Sequence, residues 1–524
     1  MNVAVVGCLH GKLEFLYQEL QQWENQTGKK VDFILCSGDF QSLRHKGDLA
    51  ALECPEKYKE LGQFHRYYTG ELKAPILTIF VGGNHEATNY LRDLYYGGWA
   101  AENIYYLGAS GFINIKKGDQ SIRLGGVSGI EKMYDYFKGY HERSPYITNH
   151  DWLRTIYHIR QFEVQKCKLL SNKVDMFMSH EWPNIITQKA RRDQVQNLLR
   201  FKKHFQQDVS QGRLGSQGFS EILEELRPKF WFSAHLHVKF QAVIDNQTEF
   251  LALDKPIPKR QYLDVFHIDK DTDRLNSIFT QSYQQRGGSY QNHNQGHNQQ
   301  RYNNQQPQYQ QKWVKKGEAY DQNRDLINQL QQQHLQEQNN QEQQLIQHQE
   351  EEEKKESVSQ TINDQQLKIE HDREWIAILQ ATQKLMPLDD MRYDFRYLNK
   401  GNQQIMETIK ANFEKLENSD MSINFNKEDH FEQYKNLHPQ TVKFIQRFEL
   451  DDRLFNPEKY WNNYQVDSIV NQPQIASTQQ QQQQTETTQI SQTDQSEELK
   501  LGSRSFQQAF KSVNDQNEID LDLE

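Results

Sequence analysis

The sequence has few cysteines and no long apolar run, and each absence excludes a class of protein. Its 524 residues include four cysteines, at positions 8, 36, 54 and 167, and no pair has CxxC spacing. This pattern implies neither a disulfide framework nor a zinc ribbon, and it fits a reducing compartment. The first residues, MNVAVVGCLHG, show no basic leader or cleavage site, and no run of about 20 apolar residues follows. We therefore expect a soluble, intracellular protein without a membrane partner.

Apolar residues are also scarce for a chain of this length. They make up 35% of the sequence, and the mean hydropathy is −0.95. A chain of this length fits roughly two or three domains of about 150 residues each. Part of it cannot bury enough apolar surface to offset the entropy lost on ordering. We expect that part to lie late in the sequence.

The acidic charge is unevenly distributed. Residues 1–280 contain 36 Lys and Arg against 33 Asp and Glu, a net charge of about +3. Because the net charge of the whole chain is −10, residues 281–524 carry about −13. A strongly acidic surface would repel nucleic-acid phosphates. Because the N-terminal half is close to neutral, the total charge does not exclude an RNA partner.

Short apolar runs that end in Gly, Asn, Asp or His recur along the first 240 residues. They are Val3–Val6, Phe33–Cys36, Ile76–Val81, Met176–Met178 and Phe230–Phe232. Runs of this kind are typical of buried strands. Helical segments such as 13–23 and 157–170 lie between them, so the alternation predicts an α/β fold with layered sheets.

Two polar stretches interrupt this pattern. Residues 281–366 are dominated by Gln and Asn and include an EEEEKKE block, and residues 471–524 combine a glutamine tract with an acidic end. Neither offers an apolar stripe wide enough to pack, so we predict a disordered or transiently helical insertion and a disordered tail. Residues 369–463 between them show helical spacing, as in EWIAILQATQKLM and HPQTVKFIQRF. We predict a small, mostly helical C-terminal domain there.

Five short polar motifs are the candidates for chemistry. They are GCLHG at 7–11, GDF at 38–40, GGNHE at 82–86, SHEWP at 179–183 and SAHLHVKF at 233–240. One such motif alone is more often a hydrogen-bonded turn, but a core that held all five would bury several imidazoles without partners. Divalent cations favour carboxylate, amide and imidazole ligands, and two cations can share one carboxylate. The candidate ligands are His10, Asp39, Asn84, His180, His235 and His237.

In this order the motifs resemble those of the calcineurin-like metallophosphoesterases, and among them most closely the lariat debranching enzymes. Cys8-Leu9-His10 replaces the usual Asp-x-His, residues 125–164 resemble that family's lariat recognition loop, and residues 250–268 resemble its closing strands. The likeness covers most of residues 1–268, and residues 370–463 resemble the family's C-terminal domain. Two departures are Leu9, where the family often has a second cysteine, and the long glutamine-rich insertion. Neither touches an expected ligand.

The resemblance implies a metallophosphoesterase β-sandwich flanked by helices in residues 1–270, with a recognition loop at 128–160. It implies one metal position held by Asp39, Asn84, His180 and His235. Asp39 would bridge to a second position formed by Cys8, His10 and His237. Because a thiolate is a soft ligand, we expect Fe(II) or Zn(II), with Mn(II) as a further candidate and one or two ions per site.

The resemblance also implies an activity, the hydrolysis of the 2',5'-phosphodiester bond in excised intron lariats. His85 adjoins the ligand Asn84 and is the expected acid for the leaving 2'-oxygen, with a structural hydrogen bond as its alternative role. Cations and rings of the loop would grip phosphates and unstacked bases. These residues are Lys132, Tyr134, Tyr136, Lys138, Tyr140 and Arg143. Residues 189–204 are predicted to form a helix with one basic face, either solvated or in contact with RNA.

Three other interpretations stay open. The first is a phosphoesterase of another specificity, such as a protein phosphatase or a cyclic-nucleotide phosphodiesterase, against which Cys8 and residues 128–160 argue. The second is a non-catalytic scaffold, which would be expected to lose ligands. The third is a glutamine-rich scaffold that carries a passenger domain. A nuclear location and contacts with spliceosomal or RNA-turnover factors follow only from the expected substrate, since no compact basic import cluster is present.

Overall fold

The computed structural model describes residues 1–143, 149–269, 271–272, 274–278, 366–431 and 437–459. Apart from Gln366, these residues belong to one compact unit. The segments predicted to be disordered, 281–366 and 471–524, lie outside the described residues except for Gln366. Within the described ranges, no helix is both long and apolar enough to cross a membrane.

The first sheet contains the early strands of the chain and one late strand. Its members are β1 (Asn2–Val6), β2 (Phe33–Cys36), β3 (Leu77–Phe80), β4 (Gly98–Ala101), β5 (Ile104–Tyr106) and β12 (Leu263–His267). The strand order is β12-β1-β2-β3-β5-β4. Strands β1, β2, β3 and β5 run parallel, while β12 and β4 pair antiparallel at the two edges. The predicted runs at 3–6, 33–36 and 76–81 all fall on parallel strands of this sheet.

The second sheet contains the remaining strands. Its members are β6 (Ser110–Lys117), β7 (Gln120–Val127), β8 (Met176–Ser179), β9 (Phe230–Ser233), β10 (Phe240–Ile244), β11 (Thr248–Ala252) and β13 (Lys368–His371). The strand order is β10-β11-β9-β8-β7-β6-β13. Strands β7, β8, β9 and β11 are parallel neighbours. The last strand, β13, pairs antiparallel with β6, so that Ile369 lies opposite Ile115.

Helices cover the outer faces of both sheets. They are α1 (Leu13–Thr27), α2 (Phe64–Tyr68), α3 (Thr88–Asp93), α4 (Met133–Tyr136), α5 (His150–Thr155), α6 (Gln161–Lys168), α7 (Ile186–Lys189), α8 (Arg192–Phe201), α9 (Gln206–Ser210), α10 (Gln217–Leu226), α11 (Arg373–Thr382), α12 (Gln403–Lys415), α13 (Lys427–Phe431) and α14 (Pro439–Arg447). Several begin at a side-chain cap, as when Ser216 accepts the backbone N–H of Phe219 at the start of α10.

The core follows from the alternation of side chains along the strands. In β1, Val3 and Val5 point into the space between the sheets, whereas Ala4 and Val6 point towards the outer helices. On the second sheet, Met176 likewise faces the first sheet. The layers are therefore helix, sheet, sheet, helix, which confirms the predicted α/β sandwich flanked by helices.

The C-terminal residues pack onto the outer face of the second sheet. Trp375 of α11 contacts Phe112 of β6, with ring centroids 5.0 Å apart. Beside this contact the buried guanidinium of Arg123 pairs with Asp372 at 2.6 Å and with Glu374 at 3.0 Å. This part is mostly helical, as predicted, and it also extends the second sheet through β13. The sequence-based boundaries at 270, 369 and 463 stay predictions.

Candidate metal centre and substrate cleft

The five polar motifs meet at one edge of the sandwich. Three of them follow β1, β2 and β3 of the first sheet, and two follow β8 and β9 of the second sheet. In α/β sheets, the carboxyl ends of parallel strands form the crevice in which ligands bind. The fold therefore brings together side chains that lie up to 229 residues apart, from Cys8 to His237.

The first half of the centre contains the cysteine. Potential ligand atoms of Cys8, His10, Asp39 and His237 all lie within 4.8 Å of one another. The Nε2 atom of His10 is 3.7 Å from Asp39 Oδ2 and 3.4 Å from His237 Nε2. One thiolate, one carboxylate and two imidazoles at this spacing form a donor set that suits a borderline divalent cation.

The second half of the centre lies on the other side of Asp39. The Nε2 atom of His180 is 3.3 Å from Asp39 Oδ1 and 3.2 Å from Asn84 Oδ1. It is also 3.2 Å from His235 Nδ1. The two carboxylate oxygens of Asp39 thus face the two halves, which is the geometry of a bridging ligand. All seven predicted ligands converge here.

Hydrogen bonds on the far side of the ligands orient them. Nδ1 of His180 donates to the carbonyl of Ser37 at 2.8 Å, which leaves Nε2 turned towards Asp39 and Asn84. Metal-binding histidines commonly use their second nitrogen in this way. The backbone N–H of His235 donates to the Cys8 sulfur at 3.2 Å. The ligand positions are therefore held by the protein itself.

Burial controls the charge of these ligands. It lowers the pKa of His10 to about 3 and the pKa values of His235 and His237 well below the ordinary range. These imidazoles are neutral near pH 7 and can offer a lone pair. Burial, together with the nearby Asp39, raises the pKa of the Cys8 thiol well above its usual value. A cation bound at Cys8 would therefore release a proton as it binds.

Four of the ligands adopt left-handed backbone conformations. The φ angles are 48° for His10, 45° for Asp39, 62° for His235 and 47° for His237. Such angles are uncommon outside glycine and cost on the order of 1–3 kcal/mol each when other contacts enforce them. One enforcing contact is the 2.7 Å hydrogen bond from the His10 N–H to the carbonyl of Asp39. Strain concentrated on four ligands is typical of a functional site.

Two glycines allow the loops to approach the ligands. A Cβ atom on Gly38 would lie 2.2 Å from His180 Nδ1, and φ at Gly38 is +108°. A Cβ atom on Gly83 would lie 2.2 Å from Asp39 Oδ1. Both contacts are far below van der Waals distance. These positions must be glycine if Asp39 and His180 are to keep their places.

Glu86 is a structural member of the centre to which the sequence interpretation assigned no role. Its buried carboxylate accepts the backbone N–H groups of Phe40 at 2.7 Å, Gln41 at 2.8 Å and Gly83 at 3.2 Å. It therefore ties the loop that carries Asp39 to the loop that carries Asn84. Burial and the proximity of Asp39 raise the pKa of Glu86 to about 8. The available signal was a carboxylate directly after the two polar residues of the GGNHE motif.

His85 lies beside the two halves of the centre and faces the cleft. Its backbone N–H donates to Asp39 Oδ1 at 3.0 Å, and its ring Nδ1 donates to the carbonyl of Glu53 at 2.8 Å. Its ring centroid is 6.0 Å from that of His10. Because Nδ1 is engaged by a carbonyl, Nε2 is the atom suited to exchange a proton with a substrate.

A cavity of about 490 Å³ opens above the ligands. Its floor contains Asp39, Asn84, His85, His235 and His237. Its lining also includes Ile130, Glu131, Lys132 and Met133 and several residues between His204 and Gln217. Such a volume is comparable to pockets for ligands much larger than a phosphate group. The cleft can therefore hold nucleotides around a scissile phosphodiester.

Segment 128–160 places its predicted substrate-binding residues in different environments. Lys132 lines the cleft, and Tyr134 is 48% exposed. Lys138 pairs with Asp135 at 2.9 Å. Arg143 donates to the carbonyl of Tyr140 at 2.8 Å and to that of Leu388. Residues 144–148 lie outside the described part of the chain.

Two residues of that predicted set are buried and require a correction. The relative solvent exposures of Tyr136 and Tyr140 are 3% and 4%, and both side chains belong to the core that packs against the second sheet. The Tyr140 hydroxyl donates to Glu163 at 2.7 Å. Neither ring is available to stack on a base, so both support the segment from below. The four-residue helix α4 is too short for the sequence to show which rings point inwards.

The basic stretch at 189–204 contains the predicted helix as α8. Arg191, Arg192 and Arg200 belong to this stretch, and Arg191 and Arg200 make local contacts with Asp193 and Asn197. His204, which follows α8, lines the same cleft as Lys132. The end of this stretch therefore borders the site, whereas the contact of its arginines with RNA stays a prediction.

Comparison with known proteins completes the description of the site. A profile of the calcineurin-like phosphoesterase family matches residues 1–239. Lariat debranching enzyme A of Xenopus laevis is 46% identical over 280 residues, 52% of this chain and 51% of the relative. The Homo sapiens enzyme is 47% identical over 281 residues, 52% and 50% of the two chains. The Arabidopsis thaliana enzyme is 42% identical over 288 residues, 54% and 67% of the two chains. The chain spans about half the length of the vertebrate relatives.

Proposed function

The chain belongs to the lariat debranching enzyme family, and from this premise we propose that it hydrolyses the 2',5'-phosphodiester bond at the branch point of lariat RNA. The products would be a linear RNA with a 5'-phosphate and a free 2'-hydroxyl on the branch nucleotide. One observation carries the proposal. Asp39 lies between a cysteine-containing donor set and a second donor set, at the floor of a cleft large enough for branched RNA.

The residues of the centre fit one or two divalent cations. Cys8, His10 and His237 would hold one, Asn84, His180 and His235 the other, and Asp39 would contact both. A cation bound there supplies Lewis acidity, which activates water and neutralises charge on the phosphate. The thiolate of Cys8 favours Fe(II) or Zn(II), and Mn(II) suits the oxygen and nitrogen ligands of the other half. We propose these three ions as the native candidates.

His85 is the proposed general acid. Its backbone bond to Asp39 keeps it beside the expected metal ligands, and its Nδ1 bond to the Glu53 carbonyl would leave Nε2 to give a proton to the leaving 2'-oxygen. Asp39 and Asn84 position the reacting groups. Glu86 acts at a distance, since it fixes the two loops that carry them.

Segment 128–160 is the proposed recognition loop. Lys132 lies in the cleft and can meet a phosphate, while the exposed ring of Tyr134 can stack on an unpaired base. His204 lines the same cleft and offers a second contact.

The proposed substrate has consequences for location and partners. Lariats arise from splicing, so we propose that the protein acts in the nucleus, next to spliceosomal or RNA-turnover factors. Fluorescence microscopy of the tagged full chain tests the location. Exclusion of the tagged protein from the nucleus would contradict this part of the proposal.

The activity is tested with a pair of synthetic RNAs. One carries a 2',5' branch and the other is its linear 3',5' counterpart, and the purified full chain is loaded in turn with Fe(II), Zn(II) or Mn(II). We expect cleavage of the branched RNA only, and no cleavage by the Asp39→Asn variant. Equal cleavage of both RNAs would indicate a phosphoesterase of another specificity. Cleavage of neither RNA, with metal bound, would favour a non-catalytic role.

A further inference from the structure

A strap formed by residues 386–395 crosses the outer side of segment 128–160. The strap follows α11 in the C-terminal part, and its buried residues Met386, Leu388 and Phe395 belong to the same core as Tyr136 and Tyr140. It closes on itself, because the Tyr393 hydroxyl donates to Asp389 at 2.8 Å. The strap is therefore an ordered element that arrives from more than 240 residues further along the chain.

The strap binds segment 128–160 through the backbone. The N–H of Tyr140 donates to the carbonyl of Pro387 at 2.9 Å, and the N–H of Tyr393 donates to the carbonyl of Phe137 at 2.7 Å. Lys138 and Arg392 form an antiparallel bridge between these two bonds. Bonds of this kind fix backbone position and depend little on side-chain identity.

Side chains reinforce the same contact. The guanidinium of Arg392 lies 5.3 Å above the centroid of the Phe137 ring. In the other direction, the guanidinium of Arg143 donates to the carbonyl of Leu388. The electron-rich face of an aromatic ring attracts a cation at this distance. The strap thus holds residues 137–143 from both ends.

Gly139 makes the contact sterically specific. A Cβ atom at this position would lie 2.6 Å from the carbonyl oxygen of Asp389 and 2.8 Å from that of Pro387. Both obstacles are backbone atoms, so no side-chain rotation can relieve them. The close approach of strap and segment therefore requires glycine at position 139.

The opposite side of the segment is anchored to the catalytic core. The Glu142 carboxylate pairs with Arg160 at 2.5 Å and with Arg92 of α3 at 3.3 Å, and all three side chains are buried. The strap and this ion-pair cluster together hold residues 137–143. The cleft-lining residues 130–133 and the exposed Tyr134 directly precede this stretch. Movement at residues 137–143 would therefore displace Lys132 and Tyr134.

We infer that the strap is a positioning element for RNA recognition: it sets the place of segment 128–160 over the cleft, and it does not take part in the chemistry. The inference rests on the proposed function for the identity of the substrate. The claim that the strap anchors segment 128–160 does not depend on that function. The C-terminal residues then serve substrate binding, whereas the metal centre is complete without them. Loss of the strap contact should raise KM for branched RNA and leave hydrolysis of a small phosphodiester unchanged.

Two weakening variants, one conservative variant and two controls test this in the full chain. Gly139→Ala and Arg392→Ala weaken the contact from either side, and Arg392→Lys keeps the cation. Gly401→Ala is the matched glycine control, because its new Cβ would meet only a side-chain oxygen of Asn399. Arg396→Ala is the matched arginine control, since Arg396 pairs only locally with Asp394.

Two readouts separate the inference from the proposed function. Hydrogen exchange of the amides in residues 130–143 reports the contact without any substrate, and we expect faster exchange in Gly139→Ala. Steady-state kinetics should show a KM for branched RNA raised by roughly tenfold in Gly139→Ala and several-fold in Arg392→Ala, with kcat on bis(p-nitrophenyl) phosphate unchanged. Arg392→Lys should have a KM for branched RNA close to that of the parent chain, and both controls should behave like the parent chain.

Either of two results would overturn the inference. The first is unchanged exchange of residues 130–143 in a folded Gly139→Ala protein. The second is faster exchange with an unaltered KM for branched RNA. If the parent chain hydrolyses the small diester but not branched RNA, the proposed function fails, and faster exchange in Gly139→Ala would still support the strap as the anchor of the segment.

Discussion

The metal centre and segment 128–160 border the same cleft, but they are built in different ways. Each ligand of the centre lies within a few residues of a strand end, and the two sheets hold these ends in place. In the described part of segment 128–160 the only helices are the short α4 and α5, and the segment is held by the ion pair of Glu142 with Arg92 of α3 and by the strap. The chemistry is therefore supported by the sandwich itself, whereas the substrate surface is supported by contacts from distant parts of the chain.

This difference predicts two kinds of variant. Changes in the centre should abolish turnover, because ligands, glycines and hydrogen bonds act there as one unit. Changes in the segment should give graded losses of affinity or stability with intact chemistry. Five experiments, from the largest expected effect to the smallest, test whether the two regions separate in this way.

Replacement of the bridging ligand should have the largest effect. Asp39→Asn removes the carboxylate shared by both halves, so we expect turnover to fall by at least roughly a thousandfold and bound metal to be lost. Metal analysis and kinetics on branched RNA measure the two losses. Asp208→Asn is the control, since Asp208 lines the same cleft without touching a ligand. Full activity in Asp39→Asn would remove the bridging role.

Replacement of the acid should affect the chemistry alone. His85→Ala is expected to lower kcat by about 10²- to 10⁴-fold, because the leaving oxygen loses its proton donor. Metal content should stay at the parent value. His45→Ala serves as the control, because the His45 side chain is 62% exposed and pairs with Asp48. A His85→Ala enzyme that works at the parent rate would show that the ring has only a structural role.

A methyl group at Gly38 should damage the centre without changing a ligand. Gly38→Ala places a Cβ atom 2.2 Å from His180 Nδ1, so we expect metal affinity to fall by about 10- to 100-fold, as when outer hydrogen bonds of a ligand are removed. Titration of the metal-free protein with the metal ion measures this affinity. Gly28→Ala shares the positive φ but has open space around it, and it should bind metal normally. Equal affinities in the two variants would contradict the steric argument.

Loss of the Glu142 ion pairs should destabilise the segment while the centre stays intact. Burial alone would raise the pKa of this carboxyl, but Arg160 and Arg92 outweigh it and lower the pKa to about 2. Glu142→Gln removes the negative charge that the two buried guanidinium groups share, so we expect the free energy of unfolding to fall by about 3 kcal/mol at pH 7. Urea denaturation of the metal-free proteins measures the difference.

The same pair has a defined pH dependence. Because the folded pKa of Glu142 is depressed, its contribution to stability is present above the unfolded value of 4.5 and disappears as the pH falls towards about 2. The difference between parent and Glu142→Gln should therefore be constant from pH 7 to pH 5 and shrink below it. A difference that grows in acid would contradict this sign.

The smallest effects should come from the tyrosines of the segment. Tyr134→Ala removes an exposed ring, and we expect KM for branched RNA to rise by about five- to tenfold if one base stacks on it. Tyr136→Phe removes a hydroxyl that has no hydrogen-bond partner among the described residues, so KM should not change. A larger effect from Tyr136→Phe than from Tyr134→Ala would reverse the assignment of exposed and buried rings.

The ligands could be predicted from the sequence because each is coupled to a local signal. A short, mostly apolar strand that ends at or just before Gly or Ser and is followed by a metal-binding side chain occurs five times, and the strands were placed to within about one residue. The same locality explains the correct prediction of α1, α11 and α14. Elements that are encoded by short stretches of sequence can be predicted without knowledge of the three-dimensional fold.

The substrate surface could not be predicted as well, because its determinants are not local. Tyr134 and Tyr136 are two residues apart on a four-residue helix, and only packing against the core decides which is buried. The contact between Gly139 and the strap joins residues about 250 positions apart. Strand β13 has only four residues, KIEH, and shows no apolar pattern of its own. Such features depend on partners that no sequence window contains.

The candidate ligands follow strands of both sheets, so a cation bound by them would connect the two layers of the sandwich. A cation held by Asp39 of one layer and His180 of the other would bind only while the layers are packed together, so it would stabilise the native state by mass action. With free ion at about a thousand times its dissociation constant, the gain is about 4 kcal/mol. Chelation should therefore lower the melting temperature of the whole sandwich, and thermal stability becomes a direct readout of how full the centre is.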